Sequence, residues 1–191
     1  VDGFFNGLHK ELRDVVDMYP QIDKEIDRHD YHFLLLQLVQ EFNHYVVLAD
    51  IFEHLMGRPI SPEDTVQLDE EKKLGNVRRA YVEQEDPLLN AAVGFTEGGG
   101  ARLFREGKEL SGSTVNDLTA KAMQIIFDDE HDHYMEHAKE AISHIKSPED
   151  LERMKDAIAK ISEQRVWMRA EMFRDAMTKA EIETFIEENK R

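Results

Sequence analysis

The chain contains no cysteine. A disulfide framework, a thiolate zinc site, an iron–sulfur cluster and a cysteine nucleophile are therefore excluded, and nothing points to an oxidising compartment. Positive charge is also scarce: 24 Lys and Arg stand against 40 Asp and Glu, a formal net charge of −16. A surplus of that size repels a phosphate backbone or an anionic lipid surface, so neither nucleic acid nor a membrane is an expected partner. No apolar run approaches the roughly 20 residues that span a bilayer. The opening residues VDGFFNGLHKELRD lack the basic start, apolar middle and small-residue cleavage site of a leader, and a cytoplasmic location is expected. Because the first residue is Val, further residues upstream are an open expectation.

Proline and glycine are few, 5 and 10 in 191 residues, and most cluster between stretches whose apolar residues recur three and four apart. That is the helical period, and the expected fold class is all-α. The 41% apolar content supplies a core for one domain covering residues 1–191. A first helix is expected from Phe4 to Tyr19, stopped by Pro20. Asp30 is placed to cap a second helix reaching Met56, closed by Gly57 and Pro59. Ser61-Pro62-Glu63-Asp64 reads as another helix start, and from there to Asp86 the polar sequence suggests a helical crossover. A third main helix is expected from Pro87 to about Gly107. Gly94 and Gly98 to Gly100 each cost it about 1 kcal/mol relative to Ala, so something must justify them. Ser113 or Thr114 caps a long helix to about Lys146. Ser147-Pro148-Glu149-Asp150 starts a last one of approximately 40 residues reaching Asn189. These pieces make a four-helix bundle with a crossover segment and an additional long C-terminal helix.

Two helices carry charge where apolar residues belong. The second reads Leu34, Leu38, Glu41, His44 or Tyr45, Leu48, Phe52, Leu55, and the long one reads Met123, Ile126, Phe127, Glu130, His133, Tyr134, Ala138, Ala141. In both, Glu and His are three apart, so they share a face and present oxygen and nitrogen to one metal ion. A buried carboxylate without a partner costs several kcal/mol, on the order of its desolvation, and neither stripe contains Lys or Arg to neutralise it. Glu11 on the stripe Phe4, Leu8, Glu11, Val15 and Glu97 on the stripe Leu89, Val93, Glu97, Ala101 complete the pattern. Measured from the intervening turns, Glu11 and Glu41 stand at similar depth, as do Glu97 and Glu130, so all four carboxylates fit one layer. The alternative for Glu11 is a solvated helix face. His137, one turn beyond His133, reads as a support for a ligand, an extra ligand or a surface histidine. Trp167, Met168, Met172, Phe173 and Met177 read as core packing.

The order Glu11, Glu41-x-x-His44, Glu97, Glu130-x-x-His133 resembles that of ferritin-like di-iron carboxylate proteins. The spacing within the pairs, 30 and 33 residues, is similar to that of ribonucleotide reductase small subunits and bacterial multicomponent monooxygenase hydroxylases. Asp129-Glu130-His131-Asp132-His133 also resembles the Asp-Glu-x-x-His of those hydroxylases, in which the Asp supports a ligating His. Gln40 precedes Glu41, so at the first pair that acid is absent or supplied from elsewhere. The resemblance implies two iron ions, or an Mn/Fe or Mn/Mn pair, held by Glu11, Glu41, His44, Glu97, Glu130 and His133. It implies a di-iron oxidase or oxygenase whose partners are dioxygen, a small organic substrate and an electron donor not named by the sequence. Self-association into a homo-oligomer is a further open expectation. The second reading is a ferritin-like protein that oxidises and holds iron or scavenges peroxide, against which the long C-terminal helix counts. A metal-free helical adaptor and a haemerythrin-like carrier rank below these. The triple glycine after Glu97 reads either as an opening near the metals or as close helix packing.

Overall fold

The computed structural model describes residues 12–174 and 177–189, without the side chains of Pro62 and residues 131–134. Among the described residues the chain is all-α, with no strand. The helices are α1 (residues 12–18), α2 (Arg28–Met56), α3 (Asp69–Val82), α4 (Pro87–Phe95), α5 (Ala101–Gly107), α6 (Thr114–His144), α7 (Pro148–Met172) and α8 (Lys179–Asn189). Short 3-10 turns lie at Tyr19–Gln21, Pro62–Asp64 and Thr96–Gly100. The expected start of the first helix at Phe4 lies outside the described residues.

The helix ends follow capping chemistry. Asp27, not Asp30, caps α2: its carboxylate accepts the His29 N–H at 2.7 Å, while Asp30 sits in the first turn. Gly57 closes α2 at φ +67°, the left-handed conformation glycine adopts without a Cβ penalty. Asp86 and Ser147 cap α4 and α7, each followed by proline at the first helical position.

Two expected helices are broken. Between Pro87 and Gly107 the chain forms α4, a 3-10 turn and α5, with the change at the glycines. The 40-residue C-terminal helix is two, of 25 and 11 residues. Thr178 starts α8 with a reciprocal cap: its backbone N–H and hydroxyl donate to Glu181 at 2.7 Å, and the Glu181 N–H donates back to the Thr178 hydroxyl at 3.3 Å. That Thr-x-x-Glu signature is local and legible, and it offsets the cost of starting a new helix there.

The described residues form two compact units, one of residues 12–66 with 102–129 and one of residues 67–101 with 130–174 and 177–189. In the first, Tyr31 is buried and its hydroxyl donates to the Val15 carbonyl at 2.8 Å, tying α2 to α1. Ala122 and Ile126 of α6 are buried, while α2 leaves Leu36, Val39, Phe42 and Val46 exposed on one face.

In the second unit, α4 presents Leu88, Leu89, Ala91 and Ala92 to Ala141 of α6 and to Met154 and Ala157 of α7. The alanines allow close backbone approach. A second cluster joins Leu74, Val93, Ile161 and Met168. Leu74 belongs to the segment expected as a polar crossover, yet α3 packs along α7 and contributes to the core. Of the aromatic and Met series expected to pack, Met168 is buried, whereas Met172 at the end of α7 and Phe173 and Met177 beyond it are exposed.

Candidate functional site

The interruption of the α2 stripe produces one buried imidazole. His44 is 6% exposed, and its Nε2 lies 3.1 Å from Asp129 Oδ2 on α6. Gln40, one turn earlier on α2, donates its side-chain N–H to the other oxygen of Asp129 at 3.0 Å. An acidic partner fixes a histidine's tautomer: the Nε2 hydrogen donates to Asp129, and the lone pair is carried by Nδ1. Nδ1 is 3.7 Å from Glu41 Oε2, one helical turn earlier. With Nε2 donating to Asp129, Nδ1 and Glu41 offer a nitrogen and an oxygen on the same side of the helix, a pair of donors that one metal ion can take.

Glu130 follows Asp129 directly on the unbroken helix α6. Glu41, His44 and Glu130 each offer one ligand atom, and the three atoms lie within 4.8 Å of one another. The donor set, two carboxylate oxygens and one imidazole nitrogen, suits iron, manganese or zinc and is poor for soft thiophilic ions. The same group comprises three of the six residues expected as ligands. Glu11 and the side chain of His133 lie outside the described residues.

Glu97 is engaged elsewhere. Its carboxylate is paired with Arg78 Nη2 at 2.5 Å and His137 Nε2 at 3.2 Å, and its side chain is 47% exposed. Desolvation works to raise its pKa, but His137 and Arg78 outweigh this and hold the carboxyl below the ordinary range. The hydrogen bond with Glu97 in turn raises the His137 pKa above its usual value, against partial desolvation. His137 Nδ1 also stands 3.8 Å from Glu140. His137 is thus bonded to the carboxylate of Glu97.

The glycines near Glu97 are explained by close approach. A Cβ on Gly99 would stand 2.8 Å from Arg165 Nε, and one on Gly94 would stand 3.0 Å from His137 Nδ1. The first is closer than packed Cβ atoms stand, and the second would need the His137 ring to give by a few tenths of an ångström. Of the two readings of the triple glycine, close packing has this direct geometric support at Gly99.

Sequence reasoning missed Arg165. It lies on α7 four residues after the fully buried Ile161 and three before the buried Met168, on the stripe that faces the core. A basic residue at i+4 in an apolar stripe was the available signal. Its Nη2 donates to the Thr96 carbonyl at 2.7 Å.

Comparison with known proteins found no matching family model, no similar curated protein and no similar solved structure. Among the described residues, no helix is long and apolar enough to cross a membrane.

Proposed function

We propose that the chain is a ferritin-like di-iron protein acting as an oxidase or oxygenase on a small organic substrate. The single observation that carries the metal reading is the convergence of Glu41, His44 and Glu130, with the far nitrogen of His44 bonded to Asp129. Support of a ligating imidazole by a carboxylate is the recurrent way a protein orients the ring and raises its basicity. The placement of Asp129 across from His44 also agrees with the Asp-Glu-x-x-His resemblance. The acid supports the histidine of the facing helix, and Gln40 supports the acid.

On this reading Glu41, His44 and Glu130 hold iron, and Glu11 and His133 supply further ligands. Bound iron would supply the redox chemistry that reduces dioxygen. The protein's part is to present hard anionic donors that favour the oxidised metal, and to keep the imidazole in one tautomer. Glu97 enters this scheme as a ligand only by leaving Arg78 and His137.

A second reading, iron oxidation and storage, gains from one observation. The long C-terminal helix that favoured an enzyme is instead a 25-residue helix followed by an 11-residue one. Iron titration under air tests both. Saturation at about two iron ions per chain, with dioxygen consumed in fixed ratio to an organic substrate, supports the oxygenase. Continued uptake into a soluble mineral supports storage, and no iron bound after anaerobic reconstitution overturns both.

A further inference from the structure

In the second unit two guanidinium groups, those of Arg165 and Arg169, form no ion pair among the described residues, and a third, that of Arg78, pairs with Glu97. Arg165 and Arg169 are one turn apart on α7 and both are half-buried. In a chain with 40 acidic residues, neither forms an ion pair with a described residue. The side-chain hydrogen bond of Arg165 goes to the Thr96 carbonyl at 2.7 Å, and that of Arg169 goes to the sulfur of Met172 at 3.3 Å. Arg78 arrives from α3 and bonds Glu97, the residue next to Thr96, at 2.5 Å. The 3-10 turn Thr96–Gly100 thus gathers two guanidiniums on adjacent residues, and the missing Cβ of Gly99 lets Arg165 lie against it. Nearby carboxylates are committed. Glu97 is shared between Arg78 and His137, and Glu171 accepts the backbone N–H groups of Asp69 and Glu70 at the start of α3.

Half-burying a permanent charge beside like charges is unfavourable unless an anion compensates it. Burial first, then the neighbouring Arg78 and Arg169, push the Arg165 guanidinium down to about 10, and the single nearby carboxylate of Glu97 offsets this only in part. Burial also lowers Arg169.

We propose that Arg78 and Arg165 at the turn Thr96–Gly100, with Arg169 one helical turn further along α7, bind an oxyanion, the phosphate or carboxylate group of a small molecule. A planar guanidinium donates two parallel N–H groups to such an anion, and two carried one helical turn apart receive a dianion better than a monoanion. Arg78 and Glu97 are partly exposed, which leaves the group open to a ligand from solution. The inference is independent of the metal reading, because it uses none of Glu41, His44 and Glu130.

The test is calorimetric titration of the metal-stripped full chain, at constant ionic strength set with chloride, using inorganic phosphate in one series and succinate in another. Saturable binding of either probe with a Kd of about 5 mM or tighter is expected, and the probe that binds identifies the class. Arg165→Lys keeps the charge but loses the fork, and Arg169→Gln loses both; each should weaken binding about tenfold, equivalent to about 1.4 kcal/mol. Arg102→Gln, at an exposed site, should change nothing. If Arg165→Lys does not fold, the circular dichroism-checked Arg169→Gln variant decides. Absence of saturation with both probes, or binding unchanged in the folded arginine variants, overturns the proposal.

Discussion

His44 and Asp129, 85 residues apart in sequence, meet at 3.1 Å between Nε2 and Oδ2, and this bond turns the other nitrogen of the ring toward Glu41. An aspartate on α6 thereby sets the tautomer of a histidine on α2. The ligand quality of the imidazole depends on a residue that need not touch the ion.

Replacing Asp129 by Asn should therefore weaken metal binding by about 10–100-fold while the helical circular dichroism spectrum is kept. Competition with a chromophoric chelator measures the change. Unchanged affinity would mean that the His44–Asp129 bond is structural only.

Glu41→Ala and Glu130→Ala should each abolish loading at this site. Removing a half-buried carboxylate also leaves a small cavity, with a stability cost of at most about 2 kcal/mol. Elemental analysis after reconstitution, alongside thermal unfolding, separates the two effects. Variants that retain the wild-type metal content would place the site elsewhere.

The pair Glu97–His137 should give a pH signature. Because the folded pKa of His137 is raised, its contribution to stability is fully present below the unfolded value of about 6.5 and is lost as pH rises through the folded value. The carboxyl of Glu97 is lowered, so its contribution is present above the unfolded value and lost as pH falls through the folded one. The pair is thus strongest at mildly acidic pH. An NMR titration should find His137 titrating above about 6.5, and Glu97→Gln should bring it down. A titration unmoved by Glu97→Gln would refute the assigned cause.

Gly99→Ala should lower stability by about 1–3 kcal/mol, since the added methyl meets the Arg165 side chain at 2.8 Å. Gly75→Ala in α3 meets nothing within 4 Å and should raise stability by about 0.5–1 kcal/mol, because alanine has less backbone entropy to lose. Opposite shifts in melting temperature for these two glycines are the expected result; equal shifts would contradict the packing.

Ile161 is 0% exposed at the junction of α3, α4 and α7. Ile161→Val should cost about 0.5–1.5 kcal/mol and Ile161→Ala about 2–5 kcal/mol, read from chemical denaturation. A cost below 0.5 kcal/mol (on the order of a surface substitution) for the alanine variant would show that this cluster does not organise the second unit.

The all-α class, the span of α6, the C-terminal end of α2 and the start of α7 were legible in the sequence, because a helix is specified by period and by capping groups within a few residues of each terminus. The end of α7 and the start of α2 were not, the one hidden by a new cap at Thr178 and the other by Asp27 standing one turn before Asp30. Glu41, His44 and Glu130 were legible for a related reason: a charge in an apolar stripe is conspicuous at helical spacing without any knowledge of what faces it. The partners of those charges were not legible. Glu97 and Glu41 interrupt similar stripes, yet Glu97 meets Arg78 and His137, while Glu41 lies beside His44 and within reach of Glu130. Asp129 supports His44, and Arg165 crosses Gly99, through contacts spanning tens of residues. The sequence by itself determined where helices form and which of their faces carry unusual charge, since both are local properties of the chain. Only the tertiary structure decided which opposite charge or hydrogen-bond partner each would find, because that pairing is set by how the helices pack and by which groups packing has already committed.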